Sequence, residues 1–353
     1  MTAETRRFAC NLCEASCGLL VTVDGDRVLD VRGDGEDPFS RGHVCPKGPA
    51  LRELHDDPDR LRAPMRRTAF GFEAVGWDEA QDEAASRLRA IREAHGKDAI
   101  AFYLGNPVVH SHRAALGAQL LQLMLGTRNR YDPNSQDGNP RLFACMQVYG
   151  DALSMPVPDV DRTALLVILG ANPAVSGGSM MVLGDVRGRL RAIRERGGRI
   201  IVIDPRRTET ARAFADEHHF IRPGGDAALL LALLHTLFVE ERVDEAAVSR
   251  VATGLDRLRA AALRFSPERV APAIGIEAPA IRDLARRIAA TDRAVVYARV
   301  GVCQSEFGPT RSGLIPITTP RGAESGQPRR ARPAGRAPGS RRRDRRSCAR
   351  RPP

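Results

Sequence analysis

The sequence predicts an α/β protein in three parts: a small loop- and β-rich domain over residues 1–60, a doubly wound domain with a mostly parallel sheet over 61–319, and a disordered tail over 320–353. Three observations lead there. Four of the seven cysteines, Cys10, Cys13, Cys17 and Cys45, gather near the N terminus. Beyond about residue 65, short continuous apolar runs alternate with amphipathic stretches, the pattern of a parallel sheet covered on both faces. From Pro320 onward the chain is almost entirely Arg, Pro, Gly, Ala and Ser, a composition that cannot build a core.

Each element has a local reason. Leu19–Asp26 and Val28–Val31 read as two strands around an Asp-Gly turn. A domain of this size buries too little apolar surface to be secure by itself, so a bound metal center is a natural staple. Asp78 is placed to cap a helix whose Ala80, Ala84, Leu88 and Ile91 share a face, and the run from Ala99 to Leu104 follows as a strand. Ser111 opens a helix carrying Leu116, Leu120, Leu123 and Met124, stopped at Gly126. Two further strands, Ala164–Leu169 and Arg199–Ile203, flank an Arg-rich helix from about Ser179 to Arg196. Helices near 226–241, 256–265 and 277–290 then lead to a last strand at Ala294–Ala298.

Charge narrows the function classes. The formal net charge is +11, but the tail holds 12 arginines against Glu324 and Asp344 alone, which leaves the body close to neutral. The body therefore lacks the basic footprint of a nucleic-acid binder. No run approaches the roughly 18 apolar residues of a membrane span, and Arg6-Arg7 lead to Phe8 and Cys10 without the apolar stretch of an export signal. A cytoplasmic protein without membrane insertion is expected. Cysteines in a reducing compartment point to metal or redox chemistry where they cluster; Cys145 and Cys303, outside the cluster, read as core.

The spacing Cys10-x2-Cys13-x3-Cys17-x27-Cys45 places three thiolates on one tight loop and brings the fourth from a distant segment, an arrangement suited to the cube of a 4Fe-4S cluster. Zinc is the other four-thiolate option, although its closed sites usually come as two separated Cys-x2-Cys pairs and here the second half offers one cysteine. With Cys45-Pro46-Lys47-Gly48 closing the motif, the stretch from about Phe8 to Pro309 resembles the N-terminal half of the molybdopterin oxidoreductases of the dimethyl-sulfoxide-reductase family. The resemblance implies a 4Fe-4S cluster beside a bis-molybdopterin guanine dinucleotide carrying molybdenum or tungsten. It also implies that Lys47, one of two lysines against 52 arginines, lies between cluster and pterin, where an ammonium stabilises an added electron and donates hydrogen bonds; the plain alternative is a solvated lysine.

Parallel sheets bind ligands at the carboxyl ends of their strands, and the loops there match the family's cofactor loops. Gly170-Ala171-Asn172-Pro173, with Ser176 and Ser179, resembles the loop against the diphosphate and pterin, Asn172 being the side-chain donor. Asp204-Pro205-Arg206-Arg207-Thr208 resembles the segment reading the guanine nucleotide, with Asp204 accepting from ribose or guanine and Arg206 meeting phosphate. Gly224-Gly225-Asp226 resembles a third, Asp226 accepting from the guanine edge. Gly105, Asn106 and His110 complete the set; His110 equally suits a helix cap. Taken singly, each loop is ordinary turn chemistry. In the family a protein side chain commonly coordinates the metal ahead of an aromatic-Gly pair, here Tyr149-Gly150. Asp137 falls at that place, with Ser135 second and no protein ligand third; a carboxylate suits an oxidised metal.

The expected function is the catalytic subunit of a molybdenum or tungsten oxidoreductase, performing two-electron redox chemistry on a small-molecule substrate while the cluster relays electrons to a partner protein or subunit. A hydratase resembling the tungsten acetylene hydratase, or a cluster-only electron-transfer module, are the alternatives. The resemblance stops near Pro309, where family members continue into further α/β structure, and the Arg/Pro-rich tail has the composition of a GC-rich gene read out of frame. The expectation is a truncated form, inactive or impaired.

Overall fold

The computed structural model describes residues 3–178, 180–250, 252–304, 306–308 and 314. Ser179, Pro309 and the 320–353 tail, on which three of the expectations above fall, lie outside the described residues.

The N-terminal part is an antiparallel sheet of β1 (Glu4–Ala9), β2 (Gly18–Asp24) and β3 (Arg27–Gly33) in the order β1-β2-β3. The two strands expected around the Asp-Gly turn are present, with Gly25 in the left-handed region at φ +57°. Strand β1 was not anticipated: all six of its residues are exposed, so no apolar alternation marks it. A small core of Cys10, Ala15, Cys17, Leu19 and Val31 packs behind the sheet, and α1 (Leu51–Asp56) lies against β3.

The next segment is only partly packed. A hairpin of β4 (Met65–Thr68) and β5 (Gly71–Ala74) leads into α2 (Trp77–His95), whose N-cap is Gly76 rather than Asp78. Asp78 sits inside the first turn, where its charge complements the helix dipole. The run from Ala99 to Leu104 yields only β6 (Phe102–Tyr103), which pairs in parallel with β7 (Arg130–Tyr131), apart from the main sheet. Helix α3 (His112–Leu125) starts at Ser111, whose Oγ accepts from the Ala114 amide at 3.4 Å, and ends at the left-handed Gly126 as expected. Its face of Leu116, Leu120, Leu123 and Met124 is exposed, uncovered among the described residues. Helix α4 (Asn139–Tyr149) buries Ala144 and Cys145 and ends at Gly150.

The main sheet is fully parallel and runs β10-β9-β8-β11. Its strands are β8 (Leu165–Leu169), β9 (Arg199–Ile203), β10 (Glu217–His219) and β11 (Ala294–Ala298). Between β8 and β9 run α5 (Pro173–Ser176) and α6 (Val186–Glu195). Helix α6 starts later than the pattern suggests, because Gly177 and Gly178 are both left-handed and Asp185 caps the helix by accepting from the Gly188 amide at 3.1 Å. Helix α7 (Glu209–Phe214) links β9 to β10. Helices α8 (Asp226–Val239), α9 (Glu245–Ser249), α10 (Leu255–Ala262), α11 (Pro267–Ile274) and α12 (Ala278–Ala290) lead to β11, and α13 (Val300–Cys303) follows it.

Alternate strand residues feed two cores. Leu165, Val167, Leu169, Ile201, Ile203 and Val296 pack under α8, α10, α11 and α12, while Leu166, Ile168, Ile200, Val202, Val295 and Tyr297 pack under α6 and α7. Each fully buried aliphatic contributes roughly 1.5–3 kcal/mol over leaving it in water. Chain order runs outward from β8 through β9 to β10 and then returns to β11 on the other side of β8. The loops after β8 and β11 therefore diverge at a topological switch point, where such sheets bind ligands.

Candidate functional site

The four cysteines are brought together by two tight turns. The Cys10 amide donates to the Cys17 carbonyl at 2.8 Å and the Ser16 amide to the Cys13 carbonyl at 3.1 Å, with Ser16 at φ +45°, so the first three thiols lie on one closed loop. The fourth opens a turn in which the Gly48 amide donates to the Cys45 carbonyl at 3.0 Å. All four are free thiols; Cys10 and Cys17 are buried, Cys13 and Cys45 half-buried. Burial first, then the neighbouring Cys10, Cys13 and Cys45, pushes the Cys17 thiol up to about 11. Burial likewise raises Cys10, with Cys13 and Cys45 adding to the effect and Lys47 opposing it. The four sulfurs and the Lys47 ammonium thus lie within electrostatic reach of one another. Thiols so disfavoured as free anions become thiolates when a cationic center compensates them, so this donor set fits a metal cluster. Among the described residues no three His, Cys, Asp or Glu side chains are arranged around a single ion.

The thiol domain packs against the segment ahead of α6, where a Cβ on Gly184 would stand 2.8 Å from Ser40 Cα. At the carboxyl edge of the parallel sheet, Tyr297 near the end of β11 is a buried phenol whose burial raises its pKa against the pull of Arg141 and Arg299. Arg141 on α4 donates to the carbonyls of Ala298 at 3.1 Å and Pro156 at 2.9 Å, fastening α4 to the same edge. Asp137 precedes α4 at the end of a 3-10 turn (Pro133–Gln136); it is half-buried, and its carboxylate makes no hydrogen bond or ion pair among the described residues. Ser135 is exposed, its hydroxyl donating to the Asp132 carbonyl at 3.4 Å. Gly105 precedes a second 3-10 turn (Asn106–His110), which leaves His110 half-buried just ahead of α3.

The loops after β8 and β9 are built against each other. Gly170 is left-handed at φ +53°, and a Cβ there would stand 3.0 Å from the Val302 amide nitrogen. The close backbone approach that this glycine allows is to the loop after β11. Asn172 accepts from Thr210 and donates to the Glu209 carboxylate at 2.6 Å. Ser176 is exposed at the end of α5. Asp204 is buried and accepts from the Arg206 amide at 3.0 Å, while the Arg206 side chain is largely exposed, 3.7 Å from Glu209. Thr208 is fully buried and caps α7, its hydroxyl oxygen accepting from the Ala211 amide at 3.1 Å. Gly224 is left-handed, and Asp226 is buried at the start of α8. Glu209, Thr210 and Arg141 escaped the sequence reading because their partners are distant in the chain. His218 escaped it as well: burial lowers its pKa against the pull of Asp204, and its ring stands edge-on to Phe220 at 4.5 Å.

A four-thiol domain followed by a parallel sheet with a topological switch point defines an α/β protein that joins a cluster-type domain to a ligand-binding sheet. The chain belongs to the molybdopterin oxidoreductase family: residues 60–273 match the molybdopterin oxidoreductase family model and residues 4–57 that of the molybdopterin oxidoreductase Fe4S4 domain. A 4Fe-4S cluster and a molybdopterin cofactor come with those two domains. The chain is 28% identical over 285 residues to the molybdopterin-containing subunit of thiosulfate reductase from Salmonella typhimurium, covering 80% of this chain and 36% of that protein. It is 30% identical over 302 residues to formate dehydrogenase H from Escherichia coli, covering 84% and 41%. Acetylene hydratase from Pelobacter acetylenicus shares the fold, with a TM-score of 0.74 at 22% identity over 89% of this chain and 43% of that one. The chain spans about two fifths of the length of these relatives. Among the described residues no helix is long and apolar enough to cross a membrane.

Proposed function

We propose that the chain forms the cluster-bearing and pterin-binding half of a molybdenum or tungsten oxidoreductase catalytic subunit that acts on a small-molecule substrate and exchanges electrons with a partner protein. The observation carrying this reading is the gathering of four thiols and Lys47 within electrostatic reach of one another, on a domain tied by Arg41 and Arg189 through Asp161 to the parallel α/β unit. When bound, the metal-pterin group supplies a two-electron center and the cluster a one-electron relay. Cys10, Cys13, Cys17 and Cys45 ligate the cluster, and Lys47 balances its negative charge and offers donors toward the pterin. Arg206, exposed beside the α7 N terminus, meets a diphosphate, while Asp204 and Asp226 accept from the guanine-bearing part of a bis-molybdopterin guanine dinucleotide. Gly170 and Asn172 hold the switch-point loop in shape. Thr208 and Ser176 belong to the same loops, and Gly105, Asn106 and His110 are the further cofactor contacts of this reading. Asp137, with its uncommitted carboxylate, is the protein ligand to the metal.

Anaerobic isolation tests this. The expected composition is about four iron and four acid-labile sulfides per chain, together with molybdenum or tungsten and acid-releasable guanine nucleotide. Stoichiometric zinc without sulfide would overturn the cluster reading; iron and sulfide without guanine nucleotide would reduce the chain to an electron-transfer module. Turnover with a redox dye, set against hydration of acetylene, separates redox from hydratase chemistry.

A further inference from the structure

Asp161, in the loop ahead of β8, has no place in the cofactor reading, yet it is where the thiol domain and the sheet domain are tied. Both Arg41 and Arg189 donate to the same carboxylate oxygen, Asp161 Oδ2, each at 2.8 Å. The second branch of the Arg189 guanidinium donates to the Phe39 carbonyl. Arg189 stands on α6 with its side chain only 13% exposed, whereas Asp161 is half-buried and Arg41 is exposed, so Arg189 is the arm of the clamp that is least like an exposed ion pair.

The turn clamped this way leads directly to Cys45. Arg41 and Gly42 are both left-handed, at φ +51° and +82°, a conformation that a non-glycine residue keeps only when its surroundings hold it. Ser40 is buried, its hydroxyl donating to Asp37 at 2.6 Å and accepting from the Gly18 amide at 3.1 Å, one residue after Cys17. The turn also presses on the loop before α6: a Cβ on Gly184 would stand 2.8 Å from Ser40 Cα. One rigid turn therefore touches the neighbour of Cys17, leads into Cys45 and is anchored from outside by Asp161 and Arg189.

We infer that Asp161 and Arg189 are positioning residues for the iron–sulfur cluster: by clamping Phe39–Gly42 they set where the Cys45 thiolate stands relative to the other three. The inference rests on Cys45 being the fourth ligand, and Cys45→Ser tests that point by itself. If Cys45→Ser keeps the cluster, the ligand reading falls and the clamp with it; if Cys45→Ser loses the cluster, the clamp is judged on its own variants.

The full chain, purified anaerobically with its cluster, is compared with Asp161→Asn, Arg189→Lys and, as a control, Arg194→Gln. Arg194 stands on the same helix but pairs with Asp216, just ahead of β10, at 3.1 Å rather than with the Phe39–Gly42 turn. Iron release to a ferrous chelator and the electron paramagnetic resonance of the reduced cluster are read beside thermal unfolding. Asp161→Asn is expected to release iron about tenfold faster or more, the scale on which supporting contacts act on metal sites, with an altered resonance. Arg189→Lys shifts the same way, because the compact ammonium lacks the planar, fixed fork by which the guanidinium spans Asp161 and Phe39, and it decides the matter if Asp161→Asn takes up no cluster. Arg194→Gln stays at the wild-type rate. Wild-type iron release and resonance in Asp161→Asn and Arg189→Lys, or equal loss in Arg194→Gln, would overturn the inference.

Discussion

Asn172 and Thr210 join the loops that follow β8 and β9: the Asn172 side-chain oxygen accepts from the Thr210 amide at 3.1 Å and from its hydroxyl at 2.7 Å. The Thr210 hydroxyl oxygen in turn accepts from the Ala174 amide at 3.0 Å, and the Asn172 NH2 group donates to Glu209, which helps to hold that carboxyl below its usual range. A residue type that the resemblance points toward the cofactor is here already engaged in fixing the shape of the loops around it.

Asn172→Ala should therefore destabilise the fold by about 1–3 kcal/mol, the cost of leaving buried partners unsatisfied. Denaturant unfolding measures this. A wild-type midpoint would mean that water replaces the amide and that the tether carries no stability.

Gly170 and Gly301 pass at backbone contact distance where the loops after β8 and β11 diverge, and a Cβ on Gly301 would stand 2.7 Å from the Gly170 carbonyl oxygen. Gly301→Ala should lower stability by about 1–3 kcal/mol through overpacking. Gly170→Ala adds strain at its positive φ. The two losses should combine non-additively, because either substitution alone pushes the same loops apart; strict additivity in a double-mutant cycle would show that they act on separate contacts.

Glu240, at the end of α8, is held at about 2 by hydrogen bonds from Arg286 on α12 and from Arg242. Its folded-state pKa lies below the ordinary carboxylate value, so its contribution is fully present above about pH 4.5 and lost as pH falls toward 2. Glu240→Gln should be less stable than wild type at neutral pH, and the difference should shrink between pH 4.5 and 2. Urea midpoints of both proteins across that range measure it, and a constant difference would contradict the ionic origin.

Cys45→Ser should abolish the cluster, while Cys145→Ser, altering a buried thiol on α4, should keep iron and sulfide at wild-type levels. Iron and sulfide analysis of the two variants separates ligand from core. Equal loss in both would mean that general destabilisation rather than ligation controls cluster content.

The elements legible in the sequence are those with a short-range signature. Strands β8, β9 and β11 are continuous apolar runs because both faces are buried; Ser111 and Gly126 bound α3 because capping is a matter of a few residues. The exposed β1 carries no such mark. The run at Ala99–Leu104 looked like a core strand because apolar character does not say whether a partner strand lies alongside; here only two residues pair.

The sequence by itself determined that four thiols would be supplied at cluster spacing and that a parallel α/β unit would follow, since three cysteines lie within eight residues and strand burial is written in consecutive side chains. Only the tertiary structure decided what surrounds them. Asn172 meets Glu209 and Thr210 from 37 and 38 residues away, and Arg41 and Arg189 reach Asp161 and Phe39 across 120 and 150 residues. Such pairs are chosen by the packing of whole elements, and a polar side chain carries no mark in its local sequence of the distant partner that packing will bring to it.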